Sequence, residues 1–156
     1  MHGYMGKILR VDLSSGKITT EELDPQMIQE YIGGGGFATK IIYDEVPAGA
    51  DPLSGDNRLV FMTGPVTGTR FPTSGRFVVA PKSPLTNLLT TAASSGFWGV
   101  ELKKTGYDGI VFQGKADKPV YLEMADDQVA LKDASDVWGK DAYETQEILI
   151  EKSGQK

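Results

Sequence analysis

From Lys7 to Leu13 the chain alternates in polarity, with Ile8, Leu9, Val11 and Leu13 as the apolar positions, and Lys17 to Leu23 alternates again. Between them Ser14-Ser15-Gly16 supplies turn chemistry, so the pattern predicts a β-hairpin with Gly16 taking the positive φ that its loop needs. Asp24-Pro25 then reads as a helix N-cap followed by proline at the first helical position. Met27, Ile28, Tyr31 and Ile32 carry the helical spacing onward. The glycine run Gly33 to Gly36 interrupts it, and Phe37, Lys40, Ile41 and Tyr43 predict a second helix. Pro47 to Asn57 is turn-rich. Leu59 to Met62, Arg76 to Ala80 and Gly109 to Gln113 are short apolar strands, and Leu88 to Ala93 is a further apolar stretch. Glu101 to Thr105 is helical or extended. Val120 to Ala125 and Gln128 to Lys132 predict a second hairpin around Asp126-Asp127. Ser135 or Asp136 is placed to cap a final helix, with Tyr143, Ile148 and Leu149 facing inward. A weak echo links Leu59-Val60-Phe61-Met62-Thr63-Gly64 with Ile110-Val111-Phe112-Gln113-Gly114. It fits a duplicated α+β half, and a strand type used twice explains it more plainly.

Composition narrows the function classes. The 156 residues suit one domain, 1–156, with a core able to fold without staples. Sixteen Lys and Arg against twenty-one Asp and Glu give a net charge of -5, spread without a basic run, which argues against a nucleic-acid phosphate track. No apolar stretch approaches the roughly 20 residues that cross a bilayer, and no apolar leader opens the chain, so a soluble, cytoplasmic protein without membrane partners is expected. The sequence has no cysteine, which excludes disulfides, thiolate nucleophiles and any cysteine-ligated cluster within these residues. Its one histidine, His2, sits at the terminus, so a Ser-His-Asp relay has no base.

What remains is a concentration of small residues at 63–75 and 93–99. Loops without bulky side chains let backbone N–H groups approach an anion. Arg76 follows Gly75 directly at a strand start, and Lys82 stands at that strand's end. A guanidinium stays charged and offers several planar donors, which suits a phosphate, a pterin ring or a cluster sulfur. The same composition also describes plain turns with a solvated arginine. The run Gly33 to Gly36 matches neither a dinucleotide fingerprint nor a P-loop. It reads either as a break where two backbones pack closely, or, at Gly36-Phe37, as N–H groups offered to an anion. Asp12, Glu21, Glu22, Glu101 and Asp108 lie on hairpins or flanks without visible pairing, so no acid/base couple emerges. Trp98 and Trp138 read as core or interface aromatics.

Several segments together point further. Gly6-Lys7-Ile8-Leu9-Arg10-Val11-Asp12-Leu13 resembles the opening strand of the tungsten-containing aldehyde ferredoxin oxidoreductase family. Gly64-Pro65-Val66-Thr67-Gly68-Thr69 with Pro72-Thr73-Ser74-Gly75-Arg76 resembles it too, as does Lys82-Ser83-Pro84-Leu85-Thr86. The likeness continues through Ser94 to Lys103, Gly106 to Ile110, Lys118 to Tyr121 and Ala134 to Gly139, in order along almost the whole chain.

The resemblance implies an α+β fold of duplicated mixed β-sheet halves with flanking helices, serving as the N-terminal base for a tungsten bis-pterin cofactor. By similarity Arg76 would reach between a pterin and a nearby 4Fe-4S cluster. The backbone carbonyl of Ala93 would help hold a magnesium bridging the pterin phosphates, and Ser95 with Gly96 would contact the phosphate region. The cluster is expected only from later domains, together with the acid/base residues near tungsten, so no catalytic residue is assigned here. Partners implied are the remaining domains of the same enzyme, ferredoxin and an aldehyde substrate, with a homo-oligomer compatible with the family. Family members commonly carry asparagine where Ala93 stands, glycine where Ser95 stands, arginine where Gly35 stands and leucine where Phe37 stands. The activity implied is oxidation of an aldehyde to a carboxylate with ferredoxin as acceptor. Full members are several times longer, so the expectation is a fragment, a truncated form or a split subunit, inactive alone. A stand-alone pterin- or phosphate-binding module and a purely structural fragment are the other readings.

Overall fold

The computed structural model describes residues 3–125 and 128–154. Its contacts divide the chain into two compact units, 1–115 and 116–156.

In the first unit the predicted hairpin forms as β1 (Lys7–Asp12) and β2 (Lys17–Glu22), paired from Lys7 opposite Glu22 to Asp12 opposite Lys17, with Gly16 at φ 70° in the turn. The Asp24 carboxylate accepts from the Gln26 N–H at 2.9 Å and caps α1 (Pro25–Tyr31), with proline at its start as the sequence predicts. Helix α2 (Gly35–Glu45) begins inside the glycine run. Close packing is what the run provides. A side chain on Gly33 would stand 3.1 Å from the Pro65 ring, and one on Gly36 would lie 2.1 Å from the Tyr31 carbonyl oxygen. The Gly34 N–H donates to Thr63 at 2.9 Å, and the Gly36 N–H is taken by the Gly33 carbonyl.

Four more strands complete a mixed sheet: β3 (Arg58–Thr63), β4 (Phe77–Ala80), β5 (Ala92–Ser94) and β6 (Gly109–Gln113). Their order is β2-β1-β6-β3-β4-β5, and only the β1–β6 pair is parallel. The two strands of the sequence echo, β3 and β6, are direct antiparallel neighbours in this sheet. Ile8, Val60, Met62, Ala80 and Val111 pack with Phe37, Ala38, Ile41 and Ile42 of α2 into one buried cluster. At about 1.5–3 kcal/mol per large apolar side chain removed from water, this cluster is the main source of the unit's stability. Phe61 meets Phe112 and Trp98 at centroid distances of 5.9 and 5.3 Å, and Phe77 meets Trp98 at 4.4 Å. Trp98 starts α3 (Trp98–Lys104), so the stretch read as helical or extended is a helix that begins three residues earlier than expected.

Two charged groups missed as partners from the sequence are buried together. Asp108, only 1% exposed, accepts from the Gly6 N–H at 2.7 Å, and its second oxygen faces the Lys103 ammonium at 3.5 Å. Lys103 also donates to the Gly3 carbonyl, which pins the N-terminal segment. Three of the other carboxylates are partnered as well: Glu21 with Arg10, Glu101 with Lys104, and Asp12 with the N–H groups of Ser14 and Ser15.

The second unit holds the predicted second hairpin, β7 (Val120–Ala125) with β8 (Gln128–Asp133). Its turn, Asp126-Asp127, lies outside the described residues. Helix α4 (Ala142–Ser153) is capped by Asp141, which accepts from the N–H groups of Tyr143 and Glu144 at 2.9 Å. This corrects the sequence reading of Ser135 or Asp136 as cap. Those two residues belong to a separate turn closed by the Val137 and Trp138 N–H groups on the Ala134 carbonyl. Tyr143 is 81% exposed and does not face inward, and Trp138 is exposed too, so neither is a core aromatic. Among the described residues no helix is long and apolar enough to cross a membrane. The fold is α+β, a mixed sheet with flanking helices.

Candidate functional site

The small-residue bends meet at one end of the β4–β5 ladder. β4 and β5 pair antiparallel, Phe77 opposite Ser94, Val78 opposite Ala93 and Val79 opposite Ala92. Extending that register by one step sets Arg76 opposite Ser95, and by a second sets Gly75 opposite Gly96. Direct contact bears out the extension: a side chain placed on Gly75 would stand 2.7 Å from the Gly96 carbonyl oxygen. Glycine is required there because two backbones touch. Arg76, Ala93, Ser95 and Gly96 therefore share one end of one ladder.

Strand β5 is terminal in the sheet, and its residues are exposed. In an antiparallel pair, opposed residues alternate between exchanging hydrogen bonds with each other and pointing theirs outward. Thr90 donates to the Pro81 carbonyl at 3.1 Å and Ser83 to the Leu88 carbonyl at 2.8 Å, which fixes the phase of this ladder. Val78 and Ala93 fall on the outward phase. The N–H and carbonyl of Ala93 thus point to the open edge of the sheet, and an alanine serves as well as an asparagine for any ligand that uses the main chain.

The next bend is also open. Gly96 has φ 108°, and nothing lies within 4 Å of the place where a side chain would stand. Arg76 is exposed, and its guanidinium has no hydrogen bond or ion pair among the described residues. Lys82, the second cation read from the sequence, is committed elsewhere. It is buried, and its ammonium donates to the carbonyls of Ala48 and Ala50 at 2.8 and 2.7 Å, anchoring the turn-rich loop 47–57. Asn57 ties the same loop to the Lys82 main chain. Lys82 is structural.

One contributor carries no flag in the sequence. The Thr67 hydroxyl donates to the Arg76 carbonyl at 2.9 Å and accepts from the Gly64 N–H at 3.0 Å. Thr67 stands with Thr69 in the family-like segment 64–69, but nothing there singles out its hydroxyl, since its partners become visible only when the loop is folded.

Among the described residues no group of three His, Cys, Asp or Glu is placed to hold a metal ion. Any cation bound through this edge would take main-chain or hydroxyl oxygen. An unpaired guanidinium, an open glycine bend and an outward carbonyl are together suited to a phosphate-bearing ligand with its counter-cation. The residues present fit the group implied by the family resemblance.

Residues 8–156 match the family model for the aldehyde ferredoxin oxidoreductase N-terminal domain. The chain belongs to this family. It is 46% identical over 156 residues to the tungsten-containing aldehyde ferredoxin oxidoreductase of Pyrococcus horikoshii, covering 100% of this chain and 26% of that protein. It is 38% identical over 153 residues to an aliphatic sulfonate oxidoreductase, WOR-like subunit, of Pyrococcus furiosus, covering 96% and 24% respectively. A solved structure, the active site complex BamBC of benzoyl coenzyme A reductase in complex with 1,5-dienoyl-CoA, superposes with a TM-score of 0.96 at 39% identity. That match covers 99% of this chain and 24% of the other. The chain spans about a quarter of the length of these family relatives.

Proposed function

We propose that residues 1–156 are the cofactor-cradling N-terminal domain of an oxidoreductase that converts aldehydes to carboxylic acids with ferredoxin as electron acceptor. The observation that carries this reading is the β4–β5 register, which gathers Arg76, Ala93, Ser95 and Gly96 at one open edge. Relatives named as tungsten-containing support tungsten as the metal, and the family resemblance implies the bis-pterin that would carry it. When bound, it would supply the two-electron redox chemistry, and the cysteines that ligate a 4Fe-4S cluster would come from the rest of the enzyme.

This domain binds and orients. The Arg76 guanidinium offers donors to an anionic ligand and holds a fixed positive charge beside the redox centres. The Ala93 carbonyl would serve as a cation ligand, and a magnesium held there would neutralise phosphate charge. Ser95 and Gly96 give hydroxyl and N–H donors without a side chain intervening at the glycine. Phe71 and Phe97, in the two bends, are 65% and 84% exposed, an apolar flank suited to burial by the remaining domains. Excluding water from a charged cofactor strengthens every one of these contacts.

The aldehyde itself is selected outside this domain. Relatives of 38–46% identity are named for aldehyde and for sulfonate chemistry, and a benzoyl coenzyme A reductase retains the same fold at a TM-score of 0.96. The reading is tested by Arg76→Ala in the complete enzyme. The variant folds and loses tungsten, pterin or electron transfer to ferredoxin. Wild-type cofactor content with wild-type turnover removes Arg76 from the site.

A further inference from the structure

We propose that Thr67 is a positioning residue for Arg76, and the proposal rests on the cofactor reading of Arg76 given above. The Arg76 side chain makes no bond to the described residues, so its main chain alone fixes where it leaves the strand. Two things hold that main chain where β4 begins. One is the ladder at Phe77 opposite Ser94, and the other is the Thr67 hydroxyl on the Arg76 carbonyl at 2.9 Å.

Thr67 is built for this work. It is 5% exposed, its N–H closes a turn on the Gly64 carbonyl at 3.1 Å, and its hydroxyl accepts from the Gly64 N–H at 3.0 Å. One oxygen thus joins the start of the loop to its end, while Gly68 donates to Ser74 just outside that junction at 3.1 Å. The methyl group is seated as well. A side chain on Gly99 would stand 3.4 Å from Thr67 Cγ2, so the small residue in α3 makes room for it. Valine would keep the volume and leave a half-buried carbonyl and N–H without their protein partner. Serine would keep both hydrogen bonds and lose only the methyl. The loop 64–76 therefore has a hydroxyl clasp at its neck, and Arg76 leaves from that clasp.

The experiment uses the full-length enzyme carrying this domain. Tungsten and released pterin are measured per folded chain in wild type, Thr67→Val, Thr67→Ser, Arg76→Ala and the double variant Thr67→Val/Arg76→Ala, with thermal melts alongside. Thr67→Val is expected to retain about tenfold less pterin, on the scale of two lost hydrogen bonds. Thr67→Ser stays within about twofold of wild type. The double variant is expected to be no worse than Arg76→Ala alone, because a residue acting through another adds nothing once that other is gone. Wild-type pterin in Thr67→Val, or a further loss in the double variant, overturns the positioning role while leaving Arg76 in place. Wild-type content in Arg76→Ala ends the positioning role, because Arg76 then holds no cofactor, and wild-type turnover alongside it sinks the cofactor reading itself. Should Thr67→Val fail to fold, Thr67→Ala against Thr67→Ser isolates the hydroxyl, and an alanine variant that also fails to fold makes Thr67 a stability residue and ends the proposal.

Discussion

Lys103 and Asp108 illustrate how much a single buried charge can demand. The Lys103 side chain is 7% exposed and that of Asp108 2% exposed, and one Asp108 oxygen has no hydrogen-bond partner at all among the described residues. The ammonium at 3.5 Å is what balances that oxygen. Removing one member of such a pair strands the other, at a cost of about 3–5 kcal/mol. Lys103→Met is therefore expected to lower the urea unfolding free energy by about that amount. A second change, Asp108→Asn, recovers part of the loss, because asparagine can still accept from the Gly6 N–H without bringing a charge inside. A Lys103→Met variant as stable as wild type would show the pair to be neutral. The pH dependence has a definite sign. Desolvation holds Lys103 below its ordinary value of 10.5, against the opposing pull of Asp108. The unfolded chain then binds that proton more tightly than the folded one, so stability from this group rises with pH over the interval below 10.5. Lys103→Met lacks that rise, and unfolding curves for both proteins between neutral and alkaline pH read it directly.

Elements whose causes are local were legible in the sequence. The β1–β2 hairpin follows from alternation plus Gly16, and α1 from Asp24-Pro25, because cap, proline and turn glycine act on neighbours a few residues away. β5 was not legible as a strand. Ala92-Ala93-Ser94 has no β-branched or aromatic residue, and it is extended because β4 offers a ladder. α3 was half seen, since its cap position is Phe97 with no side-chain hydrogen bond to announce the start. The proposed cofactor edge was legible as composition and resemblance, four residues at 76, 93, 95 and 96, and the pairing across the ladder supplied what sequence separation hides. Thr67 escaped because its hydroxyl bonds to main chain three and nine residues away. Caps mislead in the opposite way: Ser135 and Asp136 have the right chemistry, and Asp141 has the right place. Asp141→Ala is accordingly expected to destabilise α4 by about 1 kcal/mol, with Asp141→Asn near wild type. Circular dichroism at the helix band during urea unfolding reads it, and an unchanged midpoint in the alanine variant would deny the cap any role.

At the scale of the whole molecule, stability is unevenly distributed. Every residue of the principal buried cluster lies between Ile8 and Val111, inside the first unit. There a six-stranded sheet is paired across its width and faced by α2. Among the described residues of the second unit only Ala134 and Val137 are buried, its sheet has two strands, and α4 buries no residue. A two-stranded hairpin is marginal in water, and a segment of some 40 residues has too little interior to offset the entropy of ordering it. The two units should therefore differ when separated at Lys115. A chain of residues 1–115 is expected to unfold cooperatively on heating and to keep dispersed methyl resonances from the Phe37–Val60–Met62 cluster. A peptide of residues 116–156 is expected to give a broad, non-cooperative melt, with helix from α4 and little fixed tertiary structure. Differential scanning calorimetry on the two pieces decides the matter. A sharp transition in the 116–156 peptide would mean that its hairpin and helix generate a core that their burial does not reveal, and a molten 1–115 chain would mean that the Ile8–Val111 cluster cannot hold the sheet unaided.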